Sequence, residues 1–197
     1  MIDIVFVIGI ILLFIVLKIR NHDKVSHHQL SEHLSKQERA GKQGERYFNR
    51  IIYKYLHDED IMLSNVKLNR GRQAELDTVI ITHYGVFIFE VKNYSGVLIG
   101  KEDDDQWIQQ TKYKTIKLRN PIIQLNREMD ILEEYLNYKG YYECVYGYVY
   151  MINHNAPIDS NFILNDIHQA DSIIHDHLNR YLSVTAMAKI RDLLKQL

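Results

Sequence analysis

The chain has 197 residues, of which 46% are hydrophobic and 25% charged, and its formal net charge is −1. Once an apolar N-terminal segment is set aside, this length suits one domain of roughly 150 residues with a full core. A single cysteine, Cys144, excludes an internal disulfide and a zinc site built from cysteines. The near-zero charge leaves nucleic-acid binding open, because a local basic patch can coexist with it.

Residues 1–20 predict a single membrane anchor, with membrane contact through residues 2–19. Their apolar run is shorter than the roughly twenty residues that a bilayer needs, so crossing requires tilt or local thinning. The segment lacks the basic start and the cleavage site of a signal peptide. The apolar run ends at Leu17 and is followed by the basic residues Lys18, Arg20 and Lys24. The positive-inside rule then predicts a single-pass protein of the cell membrane with its C-terminal domain in the cytoplasm.

Residues 21–40 predict a polar juxtamembrane linker that becomes helical near its end, and residues 41–197 predict the folded domain. The linker holds several histidines, but exposed linkers hold metal ligands poorly. The spacing of these histidines matches no common zinc pattern. We therefore predict no metal site in the linker.

Residues Gly41–Leu56 predict an amphipathic helix, because Phe48, Ile52 and Tyr55 recur at helical spacing. Glu45 precedes Phe48 by three residues and so shares its inward face. A buried carboxylate without a partner is costly, so its presence there needs a reason. Position alone leaves two explanations open: an acidic first-turn residue that complements the helix dipole, or a carboxylate of an active site.

Residues Ile61–Leu68 predict a strand, and Asn69–Gln73 predict a turn that carries Arg70 and Arg72. These arginines lie just ahead of an acidic strand. They would suit contacts with phosphates if the domain binds nucleic acid. An ordinary solvated turn explains them equally well.

The stretch Ala74–Asn93 predicts a β-hairpin, in which two β-branched, apolar runs flank the turn-like His83-Tyr84-Gly85. Glu90 and Lys92 are two residues apart and share one face of their strand. Residues directly opposite each other in an antiparallel pair point to the same face. Asp77 therefore joins that face only if the numbers of opposed residues sum to an odd value, for instance if Asp77 lies opposite Glu90. A two-residue or a four-residue loop would give this register. In that register two carboxylates and an ammonium group converge on one spot.

Hard divalent cations such as Mg²⁺ prefer oxygen ligands and are commonly held by one or two carboxylates. Asp77 and Glu90 would supply such oxygens. A lysine beside the cation, here Lys92, can orient or deprotonate an attacking water and stabilise charge on a phosphoryl group. The alternative is an ordinary exposed ion pair at the end of a strand.

Two further strands, Gly96–Gly100 and Gln106–Gln110, are predicted after the hairpin, with Trp107 as a packing anchor. The densest basic run of the domain follows them. It suits contacts with backbone phosphates, or it is a solvated connector. Its basic residues are Lys112, Lys114, Lys117 and Arg119.

Asn120 suits a helix N-cap and Pro121 the first helical position. The helix that they begin has a buried stripe, and Gln124 lies off it, which the pattern alone would assign to the surface. The stripe is formed by Ile122, Leu125, Met129, Leu132 and Leu136. Gly140–Asn153 predicts a central strand buried on both faces, and Val184–Leu197 a last amphipathic helix.

Short motifs follow one another along the chain in a definite order. They are Gly44-Glu45, Ala74-Glu75-Leu76-Asp77, Gly85-Val86-Phe87, Glu90-Val91-Lys92-Asn93, Gly96, Trp107 and Asn120-Pro121-Ile122-Ile123-Gln124. Together they resemble the nuclease-related domain (NERD) of the PD-(D/E)XK nuclease superfamily. The resemblance runs from about Gly41 to about Leu136, and no presumed catalytic position departs from it.

The resemblance implies an α/β domain with a central mixed β-sheet flanked by helices, which is a restriction-endonuclease-like fold. It implies that Asp77 and Glu90 bind Mg²⁺ or Mn²⁺ and that Lys92 assists catalysis. It also implies that Glu45 and Gln124 complete the catalytic set. The expected function is a membrane-anchored, metal-dependent nuclease that acts on DNA. The alternative is a nucleic-acid-binding or protein-interaction module at the membrane with little or no hydrolytic activity.

Overall fold

The computed structural model describes residues 36–70, 72–142, 144–176 and 181–196. The predicted anchor, 1–20, and most of the predicted linker lie outside this part of the chain. Among the described residues, no helix combines the length and the apolar character needed to cross a bilayer. The chain divides after Ala40, and the description below concerns the compact unit Gly41–Leu197.

Four helices and eight strands are described. In chain order they are α1 (36–52, of which 41–52 belong to the compact unit), β1 (Ile61–Arg70), β2 (Arg72–Thr82), β3 (Gly85–Lys92), β4 (Val97–Ile99), β5 (Gln106–Gln110), β6 (Thr115–Arg119), α2 (Pro121–Tyr138), β7 (Val145–Met151), β8 (Ile163–Leu164), α3 (Ile167–His175) and α4 (Val184–Lys195). Elements with predicted counterparts agree with them to within a few residues, apart from two regions described below.

Five strands form a mixed sheet in the order β1-β2-β3-β7-β8. The pairs β1–β2 and β2–β3 are antiparallel, whereas β3–β7 and β7–β8 are parallel. The strand predicted in Gly140–Asn153 is β7, and it lies inside the sheet between β3 and β8. The prediction of a central mixed sheet is confirmed.

Helices cover both faces of this sheet. The core on one face joins strand residues such as Val86 and Ile88 to Leu125 of α2 and Ile190 of α4. The core on the other face joins the remaining β3 residues to helices α1 and α3. Because Glu90 follows Val86 and Ile88 at even spacing, the strand alternation directs it towards α2.

A smaller sheet with the order β4-β5-β6 lies between the hairpin and α2 in the sequence. Trp107 of β5 is fully buried, and its indole N–H donates to the carbonyl oxygen of Lys101 at 2.8 Å. The prediction that this tryptophan is a packing anchor is confirmed. The basic run was expected to be a connector or a phosphate-binding segment, whereas residues Thr115–Arg119 form a strand with alternating exposure.

The start of α2 follows from its cap. The side-chain oxygen of Asn120 accepts a hydrogen bond from the backbone N–H of Ile122 at 2.9 Å, and Pro121 occupies the first turn. The predicted turn at Asn69–Gln73 is wrong in extent, because β1 and β2 stay paired up to Arg70 and Arg72. The paired strands therefore extend into the segment that was predicted to be a turn.

Candidate active site

The register of the β2–β3 hairpin decides which side chains meet. Thr82 pairs with Gly85 across a two-residue turn, and Thr78 pairs with Phe89. Paired residue numbers thus sum to an odd value, and the same register places Asp77 level with Glu90. The structure thus has the two-residue loop, one of the two alternatives that place Asp77 on the face of Glu90 and Lys92.

A local break in strand alternation lies at Asp77. Asn65 of β1 has a positive φ of 54° and lies opposite Asp77, and the β1–β2 pairing skips both residues. Leu76 and Val79 both pack on the α2 side of the sheet, which strict alternation would forbid. Asparagine adopts a positive φ more readily than most residues, so the bend is tolerated here. Such a bend changes the direction of the neighbouring side chain.

The Asp77 carboxylate takes the place of a backbone partner. The β2–β3 ladder ends at the Thr78–Phe89 pair. Beyond it, the backbone N–H of Val91 donates to Oδ2 of Asp77 at 2.9 Å. This bond holds the Asp77 carboxylate beside Glu90 and Lys92. The same N–H therefore leaves the β2–β3 ladder and positions a carboxylate of the acidic site.

Lys92 is held by two partners. Its Nζ forms an ion pair with Oε1 of Glu90 and donates to Oε1 of Gln124 at 3.1 Å. The Glu90 side chain is 2% exposed and that of Lys92 is 17% exposed. Burial is the largest single influence and would lower the pKa of Lys92, but Glu90, Tyr94 and Asp77 together outweigh it and the pKa is raised. Lys92 is therefore an ammonium group at neutral pH.

Gln124 reaches the site from α2, although the helical pattern alone would have left it at the surface. Its amide N–H donates to Oε1 of Glu128, one turn further along the helix, at 2.9 Å. Its carbonyl oxygen accepts from Lys92. The amide thus links the ammonium group of β3 to a carboxylate on α2.

Glu128 is a site residue that the sequence analysis missed. It is 3% exposed. Burial and the neighbouring Glu90 carboxylate raise the pKa of Glu128 to about 8. A signal was present in the sequence, because Glu128 is three residues after Leu125 and four before Leu132, on the apolar stripe itself. A charged residue on such a stripe marks a buried carboxylate that needs a functional or structural partner.

Asp77 and Glu45 share this electrostatic environment. Burial and the Glu90 carboxylate raise the pKa of Asp77 to about 7. The same two causes, in the same order, raise the pKa of Glu45. Glu45 comes from α1, which packs on the opposite face of the sheet from α2. Carboxylates from both faces therefore repel one another around Glu90.

Close packing at Gly44 brings α1 to the end of β3. A Cβ atom at Gly44 would lie 2.9 Å from Cβ of Asn93, the residue after Lys92. No larger residue fits there without a shift of the neighbouring chain. Glycine at this position therefore lets the backbone that carries Glu45 approach the acidic site.

The charge balance of the cluster fits a divalent cation. With both carboxylates ionised, Oε2 of Glu90 and Oε2 of Glu128 are buried and have no hydrogen-bond donor among the residues that the structure describes. One ammonium group faces several carboxylates, and hard cations prefer such oxygen ligands. Asp77 and Glu90 are the pair best placed to hold one, since they are level with each other on adjacent strands.

The structure places the predicted nucleic-acid contacts on other elements. Arg72 lies at the start of β2, where its guanidinium is 3.8 Å from the carboxylate of Glu134. Lys112, Lys114 and Lys117 are exposed residues on or beside β6 of the smaller sheet. The side chain of Arg70 lies outside the described part of the structure. The roles of all five residues remain predictions.

An open groove of about 510 Å³ lies along α1, and its lining includes Gly44 and Asn93, the chain neighbours of Glu45 and Lys92. Arg46, Tyr47 and Arg50 of α1 line it together with Asn93. The guanidinium carbon of Arg50 lies 5.7 Å from the centre of the Tyr47 ring. The sequence analysis did not single out these arginines, which lie on the exposed side of a helix predicted mainly for its buried stripe.

The family model described as Nuclease-related domain matches residues 40–152 of the chain. The chain belongs to the nuclease-related domain family. NERD domains are placed in the PD-(D/E)XK nuclease superfamily, and the matched range contains all six residues of the acidic cluster. These are Glu45, Asp77, Glu90, Lys92, Gln124 and Glu128.

One relative has been found among curated proteins, an uncharacterized protein of Bacillus anthracis. This NERD protein is 30% identical to it over 95 residues, which cover 47% of the present chain and 45% of the relative. The chain thus matches about half the length of that relative. No solved structure is significantly similar to the chain.

Proposed function

We propose that this NERD protein is a divalent-metal-dependent nuclease that hydrolyses phosphodiester bonds, with DNA as its substrate. The observation that carries the proposal is the buried Glu90–Lys92 ion pair level with Asp77, in which one Glu90 oxygen has no donor among the described residues. A purely structural ion pair would not need the further buried carboxylate of Glu128 beside it. The family membership supports the same reaction class.

Asp77 and Glu90 would hold Mg²⁺ or Mn²⁺. Such a cation supplies Lewis acidity towards a phosphoryl oxygen and lowers the pKa of a bound water. The carboxylates also keep the Lys92 ammonium charged and in place. Glu45 approaches from the other face of the sheet. In this proposal it adds a third carboxylate to the group that surrounds the reacting phosphate.

Lys92 acts in this proposal by charge and not as a base. Its raised pKa keeps it protonated at neutral pH, so it can donate a hydrogen bond to a phosphate oxygen as negative charge develops there. Gln124 accepts a second hydrogen bond from Nζ besides the Glu90 ion pair and so limits the directions that Nζ can take. Gln124 is thus a positioning residue for Lys92.

The test is cleavage of labelled single- and double-stranded DNA and RNA by the full chain, with Mg²⁺, with Mn²⁺ and with a chelator. We expect cleavage of DNA that requires the metal and disappears in Asp77→Asn, which keeps the side-chain shape. Thermal unfolding of both proteins controls for folding. If the folded protein cleaves none of these substrates with any metal, the binding module becomes the better description.

The α1 groove is the surface that we expect to hold the substrate backbone. Replacing Arg46 and Arg50 by alanine should weaken binding to double-stranded DNA and reduce the slope of log K against log salt by about 2, since two phosphate contacts are lost. The matched comparison is Lys112→Ala with Lys117→Ala, which removes the same charge from β6. Fluorescence anisotropy over a salt series measures both. A larger loss of DNA affinity in the double lysine variant would mean that the substrate binds along the smaller sheet instead of the α1 groove.

We also propose that residues 2–19 anchor the protein in the cell membrane with the NERD domain in the cytoplasm. This part of the proposal rests on the sequence of residues 1–20 and the basic residues that follow. Deleting residues 1–20 should move the protein from the membrane fraction to the supernatant. A full-length chain that stays in the supernatant would contradict it.

A further inference from the structure

A second cluster of ligand-type side chains lies away from the acidic site. His57 and Asp60 belong to the segment between α1 and β1, and His175 is the last residue of α3. One ligand atom from each of the three residues lies within 4.8 Å of the other two. The residues come from separate parts of the sequence, so the fold brings them together.

Asp60 is at the centre of this cluster. Its side chain is 3% exposed. Its Oδ2 lies 2.8 Å from Nε2 of His175 and accepts the backbone N–H of His57, also at 2.8 Å. The His57 ring stacks on that of His175 with 4.0 Å between the ring centres. A buried carboxylate thus faces two imidazoles at one point.

Asp171 fixes the orientation of the His175 ring through the ring nitrogen that does not face Asp60. Its Oδ1 lies 2.9 Å from Nδ1 of His175, one helical turn away. A carboxylate on the far nitrogen of a histidine sets the tautomer and orients Nε2 towards a metal ion, and this arrangement is usual for metal-binding histidines. The cluster therefore has both the ligand atoms and the support that such ligands receive.

We infer that His57, Asp60 and His175 form a site for a transition-metal cation of the Zn²⁺ class, separate from the acidic site on β2 and β3. Two imidazoles and one carboxylate suit Zn²⁺, with a water or another ligand in the fourth position. The all-carboxylate site suits hard cations instead.

The distances agree with this assignment after a small movement. Ligand atoms in a tetrahedral zinc shell lie about 3.3 Å apart, given metal–ligand bonds of about 2.0–2.1 Å. Oδ2 of Asp60 lies 2.8 Å from the His175 nitrogen and 4.0 Å from Nδ1 of His57. Shifts of less than about 1 Å close these two differences. The ligand atoms of the two histidines lie within 4.8 Å of each other and must approach by up to about 1.5 Å. The His57 side chain is 72% exposed and has room to make these movements.

The competing explanation is an ion pair between Asp60 and His175 that ties α3 to the segment before β1 without any metal. It uses the Asp60–His175 contact and gives His57 no part beyond ring stacking. The two explanations therefore differ most at His57, which is exposed enough to be replaced without loss of the fold.

The experiment titrates the metal-free full chain with ZnCl₂ against a chromophoric chelator, with excess MgCl₂ present to compete for the acidic site. His22, His27, His28 and His33 of the N-terminal segment are first replaced by glutamine, so that they cannot bind zinc. We expect one zinc site that His57→Ala weakens at least about 10-fold, as loss of a ligand should. The matched control, His168→Ala, removes an exposed histidine of α3 and should leave the affinity unchanged.

Two further readings make the result decisive. Zinc should raise the midpoint of thermal unfolding of the parent protein and raise it less in His57→Ala, because a ligand that binds only the folded state stabilises it. Co²⁺ in place of zinc should give the visible bands of a tetrahedral site. The inference is overturned if His57→Ala binds zinc like the parent, or if Asp77→Asn alone removes the binding. Neither outcome depends on whether the protein cleaves DNA.

Discussion

Replacing Lys92 by methionine should lower kcat/KM for DNA cleavage by about 10³-fold or more, the loss expected when a charge that stabilises the transition state is removed. Methionine keeps the length and the apolar stem of lysine. It removes the ammonium group that Glu90 and Gln124 hold. DNA binding should change little, because the groove arginines remain. Single-turnover cleavage with saturating Mg²⁺ measures the first effect and anisotropy the second.

Lys189→Met is the matched control for this change, since it removes an exposed lysine of α4, to which no role in binding or catalysis is assigned. It should leave the cleavage rate within about 2-fold, as surface substitutions away from a site usually have small effects. Lys92→Met also leaves Glu90 and its neighbours without a cation, so we expect a lower unfolding midpoint in chelator that Mg²⁺ partly restores. Full activity in a folded Lys92→Met protein would remove Lys92 from the mechanism.

Local rules, together with the family resemblance, predicted the centre of the site subject to one condition, the length of the hairpin loop. The register of the β2–β3 hairpin follows from a two-residue turn and the alternation of side chains, and it places Asp77, Glu90 and Lys92 together. The N-cap at Asn120 and the start of α2 follow from the same kind of rule. Each of these features depends on residues close in the sequence, where one geometry is strongly favoured.

The parts that could not be predicted depend on contacts between distant segments. No local pattern shows that Asn65 takes a positive φ opposite Asp77, because the bend exists only once β1 and β2 pair. No local pattern brings Asp60 to His175, which is 115 residues away in the sequence. The role of Gln124 was available only from the family resemblance, since helical spacing placed it off the buried stripe.

Glu128 was only partly predictable. The sequence indicates that its side chain is buried, but it does not indicate which residues the side chain contacts. It lies on the apolar stripe of α2, which predicts burial. A buried carboxylate requires a donor, a cation or a proton. In the metal-free protein, burial and then the neighbouring Glu90 carboxylate make the proton the favoured choice. Cation binding and protonation are therefore alternative ways to neutralise the same cluster.

Glu128→Gln should make the metal-free protein more stable at pH 8 to 9 and change it little near pH 4.5. Burial and Glu90 raise the pKa of Glu128 from an ordinary value of 4.5 to about 8 in the folded state. Between these two values the unfolded chain binds fewer protons than the folded one. The free energy of unfolding therefore falls as pH rises through this range. Glutamine has the same shape and no charge, so it avoids this loss and can still accept the hydrogen bond from Gln124.

We expect a gain of at least about 1 kcal/mol at pH 8.5, a few degrees in the unfolding midpoint for a protein of this size. Thermal unfolding in chelator from pH 5 to 9 measures it. The matched control is Glu134→Gln, on the exposed side of the same helix, which should follow the parent curve. Adding Mg²⁺ should reduce the gain, because a cation held by Asp77 and Glu90 would favour the ionised form of Glu128. If the unfolding midpoints of Glu128→Gln and the parent change with pH in parallel from pH 5 to 9, Glu128 is ionised at no cost in stability. The explanation that protonation and cation binding neutralise the same cluster would then be wrong.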